Sequence, residues 1–561
     1  MAKQLIECVP NFSEGRDLSI IKQITDEIES VEGVKLLDVD PGKATNRTVV
    51  TFVGEPEPVI EAAFLAIKKA SELIDMTKHS GEHPRMGATD VCPLIPIANI
   101  TMEEVVKYAH KLGELAGQNL EIPFYMYEAA ATRSDWKNLA TIRSGEYEAL
   151  PEKLKDSSWK PDYGPSNFNP RAGATAIGAR DFLIAYNVNL NTTSVRRANS
   201  VAFDVREQGR VKRKGNPITG AIMKDKKGNP KRIPGSCKAV KGIGWYIEEY
   251  GIAQISMNLT NINVTPLHIA FEACSKSATK RGIRVTGSEL VGLVPLKVML
   301  DAGRYFLERQ QRSVGISEEE IIKIAVKTLG LDELGVFDPK KKIIEYQLEA
   351  KDAAPLLNMT LREFSNETAS ESMAPGGGSI SAYVGALGVS LATMVANLSA
   401  HKRGWDDQWK TFSEWAEIGQ QNKDALLRLV DEDTKSFNAI IAAFRMPKGN
   451  TEEVKARKEA VQAATRYAIE VPFQVMKESL NTFELIKAMA KIGNPNSITD
   501  AGVGALCARA AVHGAFMNVK VNTADLQDKK FVSKVLKEGK RMARKADALE
   551  KEVRKLVDAK I

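Results

Sequence analysis

Two histidines stand four residues apart in HSGEHPRMG, residues 79–87, out of only six in the chain. Imidazole titrates near neutral pH, so such a stretch can hold a metal, move a proton or do neither. A metal pair of the HxxxH kind needs both rings on one helix face. Gly81 and Pro84 argue against a regular helix here, and no further ligand cluster lies close in sequence. No metal is expected. A loop histidine beside Pro84 suits proton transfer, and a plain hydrogen-bonded loop histidine is the alternative. Residue type alone leaves His79 and His83 open between the two.

A second chemical candidate lies in LLRLVDEDTKSFNAIIAAFRMPK, residues 426–448. Leu426, Val430, Phe437, Ile440, Ile441 and Phe444 recur at helical spacing and predict one apolar face. Asp433 falls on that stripe, one turn from Val430 and one from Phe437. Asp431 falls off it with Thr434 and Asn438 and is expected to be solvated. A carboxylate on an apolar face must be paired, neutralised or functional, and a buried ion pair is the bland alternative. Desolvation by Val430 and Phe437 is expected to raise the pKa of Asp433. Upstream, MAPGGGSISAY (373–383) sets Gly376, Gly377 and Gly378 before a helix. Backbone N–H groups at such a helix start can serve an anion or polar ligand, or the glycines can simply make a tight connection. The stretch does not match GxxxxGK[ST], which argues against a nucleotide phosphate loop.

The elements that must carry these residues change character along the chain. Of 23 prolines, 19 lie in residues 1–355, marking a change from mixed to helical architecture. VKLLDVD (34–40), RTVVTFVG (47–54), DVCPLIPI (90–97) and PFYMYEAAA (123–131) read as strands. Residues 57–74 and 101–120 read as amphipathic helices, the latter with Thr101 as a natural cap. A second such unit opens with DFLIAYNVNL (181–190). It includes a helix after Thr265–Pro266 and a helix at 317–331, and closes with a strand-like IIEYQL (343–348). The expected architecture is therefore multidomain. Two α+β subdomains, 1–181 and 182–348, are followed by a short polar linker, 349–355, and an all-α bundle, 356–561, ending in a charged amphipathic helix from about Lys529 to Lys560.

At 561 residues, 43% hydrophobic and 27% charged, the chain reads as an ordinary soluble protein of several domains. Five scattered cysteines without a CxxC, and no long apolar stretch at the N-terminus, point to a cytoplasmic protein without a disulfide framework. Residues 379–400 carry no charge over 22 positions, enough to cross a bilayer. Their Ser, Gly, Asn and Thr content favours a buried helix in a soluble bundle, so no membrane partner is expected. The net charge of +7 is local, because residues 206–232 hold ten Lys/Arg against two Asp/Glu. With KGNP at 214–217 and again at 227–230, this segment predicts a turn-rich surface excursion with hairpin character. It lacks the interleaved aromatics that stack bases, so a solvated insertion is preferred over a nucleic-acid site.

ECVPNFSEGR (7–16), DVDPGKATNRTVVTFVG (38–54), GEHPRMGATDVCPLIPI (81–97), GATAIGARDFLIAYNVNL (173–190) and GSELVGLVPLKVMLDAG (287–303) closely resemble glutamate formiminotransferase, in the right order across residues 1–348. The excursion at about 210–235 is longer than that family's pattern. The resemblance implies transfer of a formimino group from N-formimino-L-glutamate to N5 of tetrahydrofolate, with folate as co-substrate and no metal. It carries the catalytic role to His83, with His79 as a supporting partner. It carries folate binding to GPSNFNPRAG: Gly164, Pro165, Ser166, Asn167, Phe168, Asn169, Pro170, Arg171, Ala172 and Gly173. Arg171 there offers charge for a carboxylate. Without the resemblance this stretch reads as a plain interdomain loop.

APGGGS, LVDEDTKSF and GNPNSITDAGVGA (493–505) resemble formimidoyltetrahydrofolate cyclodeaminase, the helical partner in the bifunctional formimidoyltransferase-cyclodeaminase family. The catalytic aspartate of that family matches Asp433. The implied reaction closes 5-formimidoyltetrahydrofolate to 5,10-methenyltetrahydrofolate with loss of ammonia. The family further implies a ring-shaped homo-octamer acting on polyglutamylated folates. Two rival readings keep a place. In one, the helical half is a methenyltetrahydrofolate cyclohydrolase or only an oligomerisation module. In the other, the chain is a basic RNA-binding scaffold built on residues 206–232.

Overall fold

The computed structural model describes residues 4–43, 45–81, 84–216, 219–348 and 354–561. His83 is outside the described residues. The chain divides into two compact units, residues 1–302 with 326–348, and residues 303–325 with 349–561.

In the first unit, strands β1 (Leu5–Cys8), β2 (Asn11–Phe12), β3 (Val34–Gly42), β4 (Arg47–Gly54), β5 (Thr89–Ala98), β6 (Phe124–Glu128) and β7 (Thr175–Ala179) form one sheet. β1 and β2 together make a single central strand, broken at Val9–Pro10, between β4 and β5. β3 flanks β4 antiparallel, while β5, β7 and β6 run parallel. Helices α1 (Leu18–Glu29), α2 (Pro56–Leu73) and α3 (Met102–Asn119) cover one face, and α3 starts with the expected Thr101 cap, closed as a capping box with Glu104. Ile6, Val50, Phe52, Cys92, Leu94, Met126 and Ile177 pack beneath them. Strand alternation then sends Glu7, Arg47, Val53 and Ile95 to the opposite face. Half of that face is covered by Trp136, the short helices α4 (Leu139–Ile142) and α5 (Leu150–Lys153), and the segment to Trp159. The other half meets the second subdomain, where Leu37 and Val53 cluster with Leu293 and Ile344.

That subdomain is a four-stranded antiparallel sheet in the order β11-β12-β8-β13, with β8 (Ile184–Leu190), β11 (Val240–Ile247), β12 (Ile252–Leu259) and β13 (Val285–Val291). Tyr186, Val188, Ile255 and Met257 lie on one face, toward α6 (Val195–Val205) and α7 (Leu267–Thr279). Asn187, Asn189 and Gln254 alternate onto the other. The basic excursion is a short antiparallel arm, β9 (Arg210–Val211) against β10 (Arg232–Ile233), extended by bridges Arg213–Ile222 and Lys224–Pro230. Helices α8 (Leu296–Arg309), α9 (Glu318–Leu329), α10 (Pro339–Lys342) and α11 (Ile344–Leu348) follow. The last corrects the strand expected at 343–348. Ile343 makes one isolated parallel bridge to Val294, which no further pair extends into a ladder, and the segment then closes as a helical turn.

The second unit is helical: α12 (Leu361–Thr368), α13 (Gly377–Ala400), α14 (Trp409–Arg445), α15 (Thr451–Ile492), α16 (Ile498–Asn522) and α17 (Lys529–Asp558). α13 is the one helix, among the described residues, long and apolar enough to cross a membrane. Here it packs against α14, α15 and α16. Its small residues explain the closeness. A Cβ on Gly388 would stand 2.9 Å from the Gly504 carbonyl oxygen, so two backbones nearly touch there. Pro472 sits inside α15 and has no N–H for the carbonyl four residues back. Asn522 Nδ2 donates to that Ala468 oxygen at 2.7 Å, so a side chain of α16 replaces the missing bond.

Candidate active sites

The histidine stretch lies against two other segments of the first subdomain. His79 Nε2 donates to the Asn46 carbonyl at 2.8 Å, and Arg85 Nε donates to its Nδ1 at 3.3 Å. A carbonyl can only accept, so these contacts define the Nε2–H tautomer. Asn46, in the left-handed region at φ 46°, also takes the Gly15 N–H on its Oδ1 and donates to Ser80. Gly81 is needed for close approach, since a Cβ would stand 2.3 Å from the Thr45 carbonyl oxygen. His79 thus has both ring nitrogens occupied.

Beyond residue 83 the motif is stitched to the glycine-rich loop. Ala174 N–H donates to Met86 and Ala88 N–H donates to Ala172, flanking the Gly87–Gly173 bridge. Gly173 has φ 70°, and a Cβ there would meet the Met86 carbonyl at 2.3 Å. Ser13, from the ECVPNFSEGR stretch, donates through Oγ to Gly87 at 2.7 Å. Four of the resembling motifs therefore converge on one turn. Within the loop, Asn169 Oδ1 accepts from Arg171 and Ala172 N–H groups, and its Nδ2 donates to Glu121. Tyr147 packs on Phe168 and donates to the Pro170 carbonyl. Gly164, Ser166, Asn167 and Pro170 are left exposed to solvent, with Pro165 partly so. Arg171, also exposed, spends one Nη on the Glu72 carbonyl at the end of α2.

Charged side chains that motif reading passes over line the face shared with the second subdomain. Asp90, fully buried, accepts from Arg47 Nη1 and Arg143 Nη2, both at 2.5 Å, and from the Met86 N–H at 3.0 Å. Glu7 is buried beside Arg180, and desolvation pushes its pKa up to about 7, with Arg180 opposing and Glu345 adding to the rise. Burial likewise raises Asp38 and Asp40, against the pull of Lys342. From the second sheet, Trp245 donates to Gln254, Gln254 to Asn189, and Asn189 to Glu333 at 2.6 Å, while Asn187 donates to Glu289. The signal was present as polar residues at every second strand position, opposite the apolar ones.

In the helical unit, Asp433 meets the start of α13. Its Oδ2 accepts from the Ser379 N–H at 2.9 Å and the Ser379 hydroxyl at 3.3 Å. That hydroxyl also donates to the Val430 carbonyl at 2.8 Å. A Cβ on Gly378 would stand 2.1 Å from Asp433 Oδ1, so glycine is required for the contact. Gly376 caps the helix and Gly377 faces Asn518 of α16. The helix start therefore does receive an anion, and it is the protein's own carboxylate. Burial raises the Asp433 pKa, opposed by the two Ser379 bonds.

Two expectations for α14 are corrected. Asp431 is not solvated: it is 3% exposed and accepts the Leu356 and Leu357 N–H groups at 2.9 and 3.3 Å. The apolar stripe also fails beyond Asp433, where Phe437 and Phe444 are 38% and 55% exposed. α14 is 37 residues long and its last turns run past the buried core, so periodicity there no longer reports burial. No cluster of three or more His, Cys, Asp or Glu that could hold a metal occurs among the described residues.

Residues 5–180 match the family described as the formiminotransferase domain, N-terminal subdomain; residues 185–349 match the formiminotransferase domain; residues 360–541 match formiminotransferase-cyclodeaminase. The formimidoyltransferase-cyclodeaminase of Mus musculus is 43% identical over 550 residues, 96% of this chain and 97% of that one. A glutamate formimidoyltransferase of Streptococcus pyogenes serotype M1 is 42% identical over 308 residues, 55% of this chain and 94% of its own. A methenyltetrahydrofolate cyclohydrolase of Methylorubrum extorquens is 32% identical over 204 residues, 36% of this chain and 98% of its own. Two sites on two unlike folds, with relatives of these kinds, define a multifunctional folate enzyme with a transferase half and a helical lyase half. The chain belongs to the formimidoyltransferase-cyclodeaminase family.

Proposed function

We propose that the first unit transfers the formimino group of N-formimino-L-glutamate to N5 of tetrahydrofolate. The helical unit then closes 5-formimidoyltetrahydrofolate to 5,10-methenyltetrahydrofolate with release of ammonia, within histidine degradation. In the transfer, N5 attacks the amidine carbon and loses its proton, and the glutamate amine leaves protonated. His83 takes the first proton and delivers the second, with His79 supporting its loop. Residues 164–173 bind the folate. In the cyclisation, N10 attacks the same carbon, and Asp433 accepts the N10 proton and passes one to the departing nitrogen. The observation that carries this reading is the Asp433 carboxylate, raised in pKa and seated on Ser379 at the glycine-rich helix start.

The folate is taken in polyglutamylated form, no metal takes part, and the protein works in the cytoplasm as a homo-oligomer, an octamer on the family pattern. Leu387, Met394 and Leu398 on α13, and Val503 and Leu506 on α16, support the oligomer, since all are apolar and exposed on two neighbouring helices. A second reading, that the helical unit hydrolyses methenyltetrahydrofolate, draws on the cyclohydrolase relative that it covers almost completely. Incubation with formiminoglutamate and tetrahydrofolate separates the two. Glutamate, ammonia and methenyltetrahydrofolate are expected together; glutamate without ammonia would leave the helical unit a cyclohydrolase or a bystander. His83→Ala is expected to cut glutamate release ~10²–10⁴-fold while supplied 5-formimidoyltetrahydrofolate is still deaminated. A loss below about tenfold would remove His83 from the proton-transfer role.

A further inference from the structure

We propose that Asn518 is a second substrate-binding side chain of the helical unit's site, whose Oδ1 accepts an N–H of the formimidoyl nitrogen; this rests on the cyclodeaminase reading above. The register of two helices brings it there. Gly388 meets Cys507, Gly385 meets Ala511, Ser381 meets Gly514 and Gly377 meets Asn518, so α13 and α16 run antiparallel, in contact every third or fourth residue. Asn518 therefore arrives at the glycine-rich start of α13 from α16, as Asp433 arrives from α14. A Cβ on Gly377 would stand 3.1 Å from Asn518 Nδ2 and 3.6 Å from its Oδ1, and one on Gly378 would stand 2.1 Å from Asp433 Oδ1. The two glycines are adjacent, with Cα atoms about 3.8 Å apart. Amide and carboxylate thus stand over neighbouring residues of one helix end, and Gly377 is exposed to solvent.

Hydrogen bonding sets the polarity of both groups. Asn518 Nδ2 donates to the Gly514 carbonyl at 3.0 Å. A carbonyl can only accept, so this bond fixes which end of the amide is oxygen, and Oδ1 has no partner among the described residues. Asp433 is divided in the same way: Oδ2 takes both Ser379 bonds, and Oδ1 has no partner among the described residues. Two free acceptors therefore lie beside Gly377 and Gly378. An amidine is a strong base that carries its proton at neutral pH, so its terminal nitrogen presents two N–H groups and keeps them as it departs. Asp433 Oδ1 engages one proton at a time, and the other N–H needs a second acceptor, which Asn518 Oδ1 supplies. The same acceptor rejects an oxygen in that place, since two lone-pair atoms share no proton, and so selects a formimidoyl over a formyl group. The competing explanation is a packing residue between α13 and α16, with Oδ1 on water.

The test compares 5-formimidoyltetrahydrofolate with 5-formyltetrahydrofolate, in which oxygen replaces the terminal nitrogen. Asn518→Leu is expected to lower kcat/KM for ammonia release ~10- to 100-fold, while the inhibition constant of 5-formyltetrahydrofolate changes less than about twofold. Asn518→Asp, which keeps an acceptor, should recover most of the loss. Equal weakening of both folates by Asn518→Leu, or an Asp variant as poor as the Leu variant, would overturn the assignment in favour of packing. A Leu variant with wild-type kcat/KM would overturn it as well. If Asn518→Leu does not fold, the wild type decides by single-turnover and inhibition measurements. Binding of 5-formyltetrahydrofolate about tenfold or more weaker than that of 5-formimidoyltetrahydrofolate supports the acceptor, and equal binding overturns it. A wild type that releases no ammonia from supplied 5-formimidoyltetrahydrofolate would overturn the cyclodeaminase reading. Calorimetric binding of that folate, weakened by Asn518→Leu while 5-formyltetrahydrofolate binding is not, would then leave the acceptor site standing.

Discussion

Asp431, Glu432 and Asp433 are consecutive on one helix, yet each carboxylate has a different partner: the Leu356–Leu357 backbone, the Tyr467 hydroxyl, and the start of α13. Successive helical residues point about 100° apart, so adjacency in sequence means divergence in space. Asp433→Asn keeps the size and removes the proton acceptor. It should abolish ammonia release, spare glutamate release and let 5-formimidoyltetrahydrofolate accumulate. Asp431→Asn should do the opposite. An amide N–H₂ facing two N–H donors costs about 1–3 kcal/mol, read as a lower melting temperature, with ammonia release persisting in the folded fraction. Ser379→Ala removes a bond that favours the charged form of Asp433, so the acid limb of ammonia release should move to higher pH. Glu7 carries a different pH signature. Its folded pKa, raised from 4.5 to about 7, contributes stability that is fully present below 4.5 and is lost as pH rises through 7. Relative to Glu7→Gln, the wild type should lose about 3 kcal/mol between those limits, read as melting temperatures that diverge with pH. A constant difference across that range would show that Glu7 titrates normally.

At the scale of elements, the first site is a turn held by backbone pairing between residues 86–88 and 172–174, and Gly87 is its tightest point. A Cβ there would stand 2.1 Å from the Ala174 carbonyl oxygen. Gly87→Ala should therefore force the two loops apart and weaken folate binding, while deamination of supplied 5-formimidoyltetrahydrofolate is unaffected. Titration of folate by fluorescence checks this, and unchanged affinity would mean that the turn tolerates separation. The β9–β10 arm is the contrasting case. Its cations are mostly exposed, and its pairing is internal apart from anchors such as Arg210 on Asp204 and Arg206 on Gly242. Replacing Lys212–Arg232 by a short Gly/Ser loop should leave glutamate and ammonia release intact. Collapse of folate affinity in a folded variant would make the arm part of the substrate site.

For the whole molecule, the exposed apolar residues of α13 and α16 set the expected assembly. Leu387→Asp with Leu398→Lys should lower the mass seen by light scattering while the melting temperature changes little, because both residues lie outside the core of the helical unit. An unchanged mass would move the interface elsewhere.

What the sequence by itself determined was local and periodic. RTVVTFVG predicts β4 at its observed limits, Thr101 predicts the start of α3, and the glycine triplet predicts the start of α13, because each rests on neighbours within a few residues. The motifs also named the loops that converge in the first unit and the aspartate that seats on Ser379. Long-range burial was not legible. Asp431 reads as solvated until Leu356 and Leu357, some 75 residues earlier, come down on it. Phe437 and Phe444 read as core until the helix is seen to outrun the bundle. Arg47, Asp90 and Arg143 are 43 and 53 residues apart and share no motif spacing. Only sheet register and the turn after α4 bring them together, since a charge cluster is defined by distance in space and the chain records distance along itself.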